Sequence, residues 1–249
     1  MQSGAFDGVD TLIHLSGENI FSIRWTEKKK RAIRDSRIKT TRFLCERLCS
    51  MENPPKTWLC ASAIGIYGGR GDEICDEDSR PGDGFFSQLC EDWEAETGPA
   101  RERGIRVVNL RFGLVMSSEG GMLPMLVKQF KLGLGGVVGS GDQYMSWVAI
   151  QDVVGGVNYI LDDENLAGPV NIVSPNPVTN REFTKALGHV VSRPTIMRAP
   201  AFAMRLVSGE FADEALLAST RVYPKRLVDS GYVFDLPELE GALRTLVSP

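Results

Sequence analysis

The sequence predicts an α/β protein in which a doubly wound parallel sheet precedes a small helix-rich lobe. Up to about residue 175, short apolar runs bounded by glycine, proline or asparagine alternate with longer amphipathic segments. The runs are apolar throughout, which is typical of strands that helices cover on both faces of a sheet. Helical patterns dominate after Pro175, so we expect residues 1–175 to form the sheet domain and residues 176–249 the lobe.

The predicted elements follow this apolar pattern in chain order. Strands are predicted over short apolar runs that end in turn-forming sequence, at residues 11–15, 57–61, 105–110, 145–150 and 170–173. Helices are predicted where apolar residues recur at helical spacing, at residues 26–50, 85–103, 123–132, 151–161 and 180–191. Thr26 is a suitable N-cap for the first helix, and the prolines Pro54 and Pro55 follow its end.

Composition and charge exclude several classes of protein. Of the 249 residues, 43% are hydrophobic and 24% are charged, as in an ordinary globular chain. The net charge of −4 argues against a nucleic-acid partner. No apolar run reaches the roughly 18 residues of a membrane span, so no membrane partner is expected. Five cysteines without a C-x-x-C pair and no export signal predict a cytoplasmic protein with reduced thiols, and two histidines predict no metal site.

Three predicted turns lie at the carboxyl ends of strands, where a doubly wound sheet binds its ligands. They comprise residues 16–19, 62–67 and 111–115. These ends meet at one edge of a parallel sheet, so a ligand is expected across all three turns, with the hydroxyls of Ser62 and Tyr67 available to it. Any one of these residues could equally be an ordinary turn residue, and the coincidence of three turns favours a site.

Other motifs carry less weight. The glycine-rich residues 133–141 lack the third glycine of G-x-G-x-x-G and follow no first strand, so a flexible connection is favoured over a phosphate cradle. The acidic residues between Asp72 and Asp78 are more typical of a solvated loop than of a metal or substrate site. Five apolar residues of the lobe could form the wall of a pocket or belong to the core: Met197, Pro200, Phe202, Met204 and Phe211. Three basic residues of the lobe could bind an anionic substrate or remain solvated: Arg221, Lys225 and Arg226.

Taken together, several stretches resemble one family over nearly the whole chain: GVDTLIHLSGENI, RWTEKKKRAIRDSRIKTT, SAIGIYG, FFSQLCEDWE, LRFGLVMSSEGGML, FKLGLGGVVGSGDQYMSWVAIQDV, GPVNIVSPNPVTNREF and PKRLVDSGYVF. In order and spacing they are similar to the atypical extended short-chain dehydrogenases/reductases, in the NAD-dependent epimerase/dehydratase superfamily. The subgroup is the "epimerase family proteins", which are nucleotide-sugar epimerase-like. The lobe from about Met197 resembles the small domain that closes the chains of this subgroup.

This resemblance implies a Rossmann-like domain that binds a nicotinamide dinucleotide, NADP(H) before NAD(H), and an unidentified small-molecule substrate. The first predicted strand would end at the cofactor, which assigns cofactor contacts to Leu15, Ser16 and Gly17. Arg37 matches a cofactor-facing helix position and its guanidinium suits a phosphate, although a solvated helix charge is the alternative. Ser62 matches the family's active-site Ser/Thr and also a cofactor contact.

The turn after the third strand matches the segment beside the nicotinamide, which adds Leu114 and Val115 to the cofactor contacts. The catalytic residues of the wider superfamily are a Tyr and a Lys four residues later, and here Phe86 and Cys90 stand at those positions. Phe cannot transfer a proton and Cys cannot supply the cation, so the usual dyad is absent. Tyr67 is the candidate proton donor in its place.

The family also begins with a strand and a T-G-x-x-G-x-x-G turn that cradles the pyrophosphate, and this motif occurs nowhere in the chain. We therefore expect the first strand–helix–strand portion of the sheet to be missing. Three hypotheses follow: an NADP(H)-binding oxidoreductase or epimerase-like enzyme, a dinucleotide-binding regulatory protein without turnover, and a truncated, non-functional fragment. The sequence leaves the substrate, the reaction and the oligomeric state open.

Overall fold

A computed structural model describes residues 6–21 and 25–247 of the chain. The strands are β1 Thr11–His14, β2 Thr57–Ala63, β3 Ile74–Cys75, β4 Arg106–Phe112, β5 Leu114–Met116, β6 Gly136–Val138, β7 Tyr144–Met145, β8 Trp147–Ala149, β9 Gly168–Ile172, β10 Val178–Thr179, β11 Met197–Ala199 and β12 Arg221–Val222. The helices are α1 Glu27–Ser50, α2 Phe85–Ala95, α3 Gly98–Glu102, α4 Leu123–Lys131, α5 Ile150–Asp162, α6 Asn180–Val190, α7 Ala201–Ser208, α8 Lys225–Asp229 and α9 Leu239–Val247. A 3₁₀ turn spans Ile64–Tyr67 and a π-helical turn spans Ala212–Leu216.

The centre of the fold is a four-stranded parallel sheet in the order β1-β2-β4-β9. Its residues alternate between two apolar layers, as the pleat of a strand requires. Trp58 and Val107 pack with α1 on one face, whereas Leu59 and Val108 pack with Ile160 of α5 on the other. The predicted α/β fold with a doubly wound parallel sheet is therefore confirmed.

Helix α1 begins as the sequence predicts. The Thr26 side chain accepts a hydrogen bond from the backbone N–H of Lys29, which satisfies a donor that the first helical turn leaves free. Apolar residues recur at helical spacing along α1, and of these Ile33 and Leu48 face the core. Phe43 is 43% exposed and lies on the solvent side of the helix.

Three predicted elements differ from the structure. The strand expected over residues 145–150 is divided into β7 and β8, which belong to different two-stranded sheets, and Ile150 already lies in α5. The single helix expected over residues 85–103 is two helices, α2 and α3, because Pro99 starts a new helix at its first turn and cannot continue the previous one. Within the glycine-rich connection, β6 pairs in parallel with β11. A side chain at Gly136 would collide with the Met197 carbonyl, so the glycine there serves a close approach of two strands.

Four two-stranded sheets join distant parts of the chain. Strand β3 pairs with β12, β6 with β11, β7 with β10, and β5 with β8. Three of these sheets connect segments before residue 146 to segments after residue 177, so the later part of the chain packs over the carboxyl edge of the central sheet. In the two described ranges, no helix is both long and apolar enough to cross a membrane.

Candidate functional site

A row of polar side chains crosses the central sheet near its carboxyl edge. Ser62 of β2 pairs in register with Arg111 of β4, which pairs with Asn171 of β9. Residues opposite one another in a parallel sheet point to the same face, so the three side chains lie side by side. All three are buried. Such a row in a buried sheet needs partners from the layer above it.

Glu94 of α2 supplies the main partner. Its carboxylate accepts two hydrogen bonds from the Arg111 guanidinium, from Nε to Oε1 and from Nη2 to Oε2, each at 2.8 Å. The Ser62 hydroxyl donates to the same Oε1 at 2.6 Å. Burial opposes the charged form of Arg111, yet the paired carboxylate raises the pKa of the guanidinium above its ordinary value. The geometry is the bidentate fork that makes a buried ion pair strong.

Tyr67 extends this network away from the sheet edge. Its hydroxyl donates to Asn171 Oδ1 at 2.8 Å and accepts from Arg111 Nη1 at 2.9 Å. The side chain is fully buried, and burial raises the pKa of the phenol to about 12. The hydroxyl is thus held as a neutral donor inside the protein. The assignment of Tyr67 as a catalytic proton donor stays a prediction, and in this conformation its hydroxyl binds protein groups.

Glu77 closes the far end of the network. Its Oε1 accepts from the backbone N–H of Asn171 at 2.9 Å and of Arg226 at 3.3 Å. Burial raises the pKa of this carboxyl above its ordinary value, and among the described residues no group bonds to its Oε2. The acidic segment 72–78 is therefore not wholly a solvated loop, because one of its carboxyls is a buried part of the fold.

We expect Glu77→Gln to flatten the pH dependence of stability. A carboxyl whose pKa is raised on folding holds its proton longer in the native state, so the free energy of unfolding falls as pH rises from the ordinary Glu pKa to the folded one. The glutamine removes that slope, which cannot exceed about 1.4 kcal/mol per pH unit for one proton. Urea unfolding of both proteins between pH 4 and pH 8 measures it.

The exposed Glu73→Gln, in the same segment, is the matched control and should leave the slope as in the wild type. Parallel curves for the wild type and Glu77→Gln would contradict the expectation.

The end of β1 gathers the predicted cofactor residues. His14 Nε2 and Ser16 Oγ lie 2.7 Å apart, and burial lowers the pKa of His14. Leu15 is 59% exposed and Ser16 is exposed, so both are open to a ligand at this edge. The end of β1 therefore offers a hydroxyl and free backbone beside an apolar side chain.

Arg37 of α1 reaches this end of β1. Its Nη1 donates to the Glu18 carbonyl at 3.0 Å, and its guanidinium lies over the Trp93 ring at 5.2 Å. A Cβ built on Gly17 would lie 3.1 Å from Arg37 Cζ, which is tight contact. Partial burial lowers the pKa of Arg37, but an Arg side chain remains charged. The predicted residues Gly17 and Arg37 are thus neighbours, and they hold a cation at the sheet edge.

The turn after β4 lies close to the rest of the edge. Gly113 has no room for a side chain, because a Cβ there would lie 2.6 Å from the Ser146 carbonyl oxygen. Leu114 follows and lines a cavity, whereas the Val115 side chain packs into the core beside β9 and α5. Of the two residues predicted to contact the cofactor here, Leu114 is the accessible one.

The two residues that replace the usual dyad lie in different surroundings, Phe86 among aromatic rings and Cys90 in the protein interior. Phe86 packs edge-on against Trp25, with ring centroids 5.1 Å apart, and lines the cavity. Cys90 is buried, and burial raises the pKa of its thiol to about 12. Neither residue supplies a proton donor or a cation at neutral pH.

The cavity lies between the sheet edge and the later part of the chain, with a volume of about 340 Å³. Its sheet side is formed by the last residues of β2 and β4, Ala63 and Phe112, and by residues that follow them. Its other side includes Phe211 and Glu214, of which Glu214 lies in the π-helical turn. The Glu214 carboxylate accepts from the backbone N–H groups of Phe85 at 3.1 Å and Phe86 at 3.2 Å, and so caps the start of α2.

The sequence-based predictions missed the hydrogen-bond network and most of the cavity. Arg111 was placed in a turn, whereas it lies within β4. Asn171 was not singled out, and Glu77 was noted only as one of an acidic cluster more typical of a solvated loop. The available signal was Asn109 and Arg111 at alternate positions of an apolar strand, since a charged residue in a buried strand requires a partner. Of the five apolar lobe residues, Phe211 lines the cavity, whereas Met197 and Phe202 are exposed.

The fold is an α/β fold of the dinucleotide-binding type, in which ligands generally bind at the carboxyl ends of the parallel strands. The sequence model described as the NAD dependent epimerase/dehydratase family matches residues 2–173, and a domain of unknown function (DUF1731) matches residues 199–246. The chain belongs to the NAD dependent epimerase/dehydratase family. The family resemblance of its sequence motifs is therefore confirmed.

Three similar proteins show how closely the chain resembles other proteins. "Epimerase family protein Mb2239" of Mycobacterium bovis is 44% identical over 238 residues, 94% of this chain and 78% of the relative. The crystal structure of human epimerase family protein SDR39U1 (isoform 2) with NADPH is 33% identical, with a TM-score of 0.89 over 95% of this chain and 81% of that one. A nucleoside-diphosphate sugar epimerase from Corynebacterium glutamicum is 35% identical, with a TM-score of 0.80 over 99% of this chain and 48% of that one.

Proposed function

We propose that this chain is an NADP(H)-binding, oxidoreductase- or epimerase-like protein whose dinucleotide lies along the carboxyl edge of β1, β2 and β4. The observation that carries the proposal is the Arg37 guanidinium held over Gly17 at the end of β1. A fixed cation at a ligand edge suits a phosphate group, which favours NADP(H) and leaves NAD(H) as the second choice. The related human protein that was solved with NADPH supports the same cofactor.

The residues present fit the cofactor at three points. Ser16 and Gly17 offer a hydroxyl and an open backbone at β1, Arg37 offers its charge, and Leu114 offers an apolar contact after β4. Ser62 lies one residue before the end of β2. A glycine-rich phosphate turn is not among the 249 residues, so these groups are the ones in this chain that would hold the dinucleotide. When bound, a reduced nicotinamide supplies a hydride.

Ser62 is the proposed catalytic residue. Its hydroxyl proton is directed to Glu94, and Arg111 fixes that carboxylate from the other side. In this arrangement Ser62 Oγ keeps its lone pairs free to accept a hydrogen bond. Tyr67 stays the second candidate, and its proton would have to leave Asn171 before it could reach a substrate.

A second candidate function is a dinucleotide-binding regulator without turnover. Phe86 and Cys90 favour it, because neither can replace the Tyr and Lys of the usual dyad. We further propose residues 1–175 as the cofactor domain and 176–249 as the substrate-side lobe, with a small domain from about residue 197. The limits of the two matched sequence models, 2–173 and 199–246, support this division. Five free cysteines support a reducing, cytoplasm-type compartment.

We expect Arg37→Ala to weaken NADPH binding at least tenfold, about 1.4 kcal/mol, and to affect NADH less, because the guanidinium would contact a phosphate. Titrations that follow nucleotide fluorescence on purified protein measure both affinities. Arg47→Ala is the matched control: it removes an exposed Arg of the same helix, ten residues further on, and should leave both affinities unchanged.

Saturable NADPH binding that Arg37→Ala does not weaken would refute the phosphate contact. Absence of binding by the wild type would refute the function. Tight binding without NADPH oxidation across a panel of carbonyl compounds would favour the regulator.

A further inference from the structure

The cavity beside the sheet edge is apolar to an unusual degree for a sugar-nucleotide site. Its wall carries six phenylalanines: Phe21, Phe86, Phe112, Phe130, Phe183 and Phe211. Leucine and methionine side chains fill much of the remainder, and Tyr144 adds a further ring. A volume of about 340 Å³ suits a small ligand with one or two rings.

Apart from the Tyr144 hydroxyl, for which the described residues show no hydrogen bond, the polar side chains on the wall are hydrogen-bonded to protein groups. Ser146 Oγ donates to the Thr220 carbonyl at 2.9 Å and accepts from the Val222 N–H at 2.8 Å. Asn180 Oδ1 accepts from the Val138 N–H at 2.9 Å. Thr220 Oγ1 donates to the Gly68 carbonyl at 2.9 Å. A ligand with many hydroxyl groups would therefore leave its own polar groups unpaired, which costs free energy for each one.

The charged residues near the cavity disfavour a sugar nucleotide more strongly than the polar ones do. Among the described residues that line the cavity, none is a Lys or Arg, and the charged one, Glu214, is an acid. The basic residues that the sequence offered for an anionic substrate do not line the cavity. Lys225 pairs with Asp78 at 2.6 Å, Arg226 donates to the Ala167 carbonyl at 2.7 Å, and Arg221 lies over the Tyr144 ring at 4.5 Å. A diphosphate here would meet a carboxylate without a counter-charge.

We propose that this cavity takes an uncharged, largely apolar aromatic or alicyclic ketone, or the corresponding alcohol, and does not take a nucleoside-diphosphate sugar. The proposal rests on the proposed NADP(H) function for the reaction, but the ligand class rests on the cavity wall alone. The seven aromatic rings of the wall, together with polar side chains that are already hydrogen-bonded to the protein, favour a ligand that buries apolar surface.

The test uses a neutral fluorescent aryl ketone, 6-propionyl-2-(dimethylamino)naphthalene, as the probe with the full chain. We expect saturable binding with a blue shift, displacement by 1-tetralone, and no displacement by millimolar UDP-glucose or UDP. Leu126→Trp fills the cavity from α4 and should weaken probe binding at least tenfold. Met125→Trp is its matched control, since Met125 immediately precedes Leu126 on α4 and is 60% exposed.

Displacement of the probe by UDP-glucose, or equal affinities for the two tryptophan variants, would overturn the inference. A parallel NADPH titration separates the two proposals. Probe binding without NADPH binding refutes the proposed function and supports the ligand class. NADPH binding without probe binding supports the function and refutes the ligand class. As a second readout, 1-tetralone should accelerate NADPH oxidation where UDP-glucose does not.

Discussion

Arg111→Met is expected to lower the free energy of unfolding by about 3–5 kcal/mol, because it leaves the Glu94 carboxylate buried without its counter-charge. The Ser62 hydroxyl still donates to Glu94, but the two guanidinium hydrogen bonds at 2.8 Å and the one to Tyr67 at 2.9 Å are lost. For a chain of 249 residues this corresponds to a decrease in Tm of roughly 10 °C. Urea unfolding followed by circular dichroism measures it.

The Arg42–Glu96 pair provides the control. It has the same bidentate geometry, with Arg42 Nε 2.9 Å from Glu96 Oε2, but the Arg42 side chain is 56% exposed. Arg42→Met should change stability less than Arg111→Met, since the Arg42 side chain is largely exposed and its removal opens Glu96, itself 18% exposed, to water. The double variant Glu94→Leu/Arg111→Met should recover much of the loss, because no unpaired charge is left in the interior. Equal losses for the two Arg variants would contradict the role of burial.

Asp152→Ala is expected to cost about 2–4 kcal/mol, the second largest effect among these variants. Asp152 lies in the first turn of α5 and is buried, and its carboxylate accepts from the backbone N–H groups of Asp235 at 2.7 Å and Leu236 at 3.0 Å. These bonds fix the segment before α9 to a helix of the central domain. The alanine removes both acceptors, so we expect faster hydrogen exchange at residues 235 and 236 together with the loss of stability.

Asp162→Ala, at the exposed end of the same helix, is the control. Asp152→Asn keeps one acceptor oxygen and should fall between the two alanine variants. If Asp152→Ala leaves amide exchange at residues 235 and 236 as it is in the wild type, the carboxylate does not hold this segment.

Local patterns were sufficient to predict the central sheet. The runs at residues 57–61 and 105–110 are mainly apolar and overlap the observed strands β2 and β4, of which β4 begins one residue later than predicted. The N-cap of α1 could also be predicted, because Thr is a residue type that commonly caps helices. Pro99 was visible in the sequence as well, but the helical spacing on either side of it outweighed the break. A single sequence best predicts those helices and strands whose formation depends on residues only a few positions apart.

The network and the cavity depend on partners far apart in the chain. Glu94 meets Arg111 and Ser62 from a different element, and Asn171 meets Tyr67 across 104 positions. Nothing in the spacing of these residues indicates the pairing, because it is created by the crossover of helix and strand. The same holds for β6, whose partner β11 comes about 60 residues later. Pairing at such separations follows from the fold and not from the pattern.

The contact of Glu214 with the start of α2 links occupancy of the cavity to order in a helix. The same carboxylate forms part of the wall and holds the amide protons of Phe85 and Phe86. A ligand that fits beneath Glu214 keeps that cap closed and slows exchange of the two protons, whereas one that displaces Glu214 frees them. By thermodynamic reciprocity, a stronger cap raises the affinity of a ligand that stabilises it and lowers the affinity of a ligand that displaces Glu214. Helix α2 is thus an internal reporter of its neighbouring cavity.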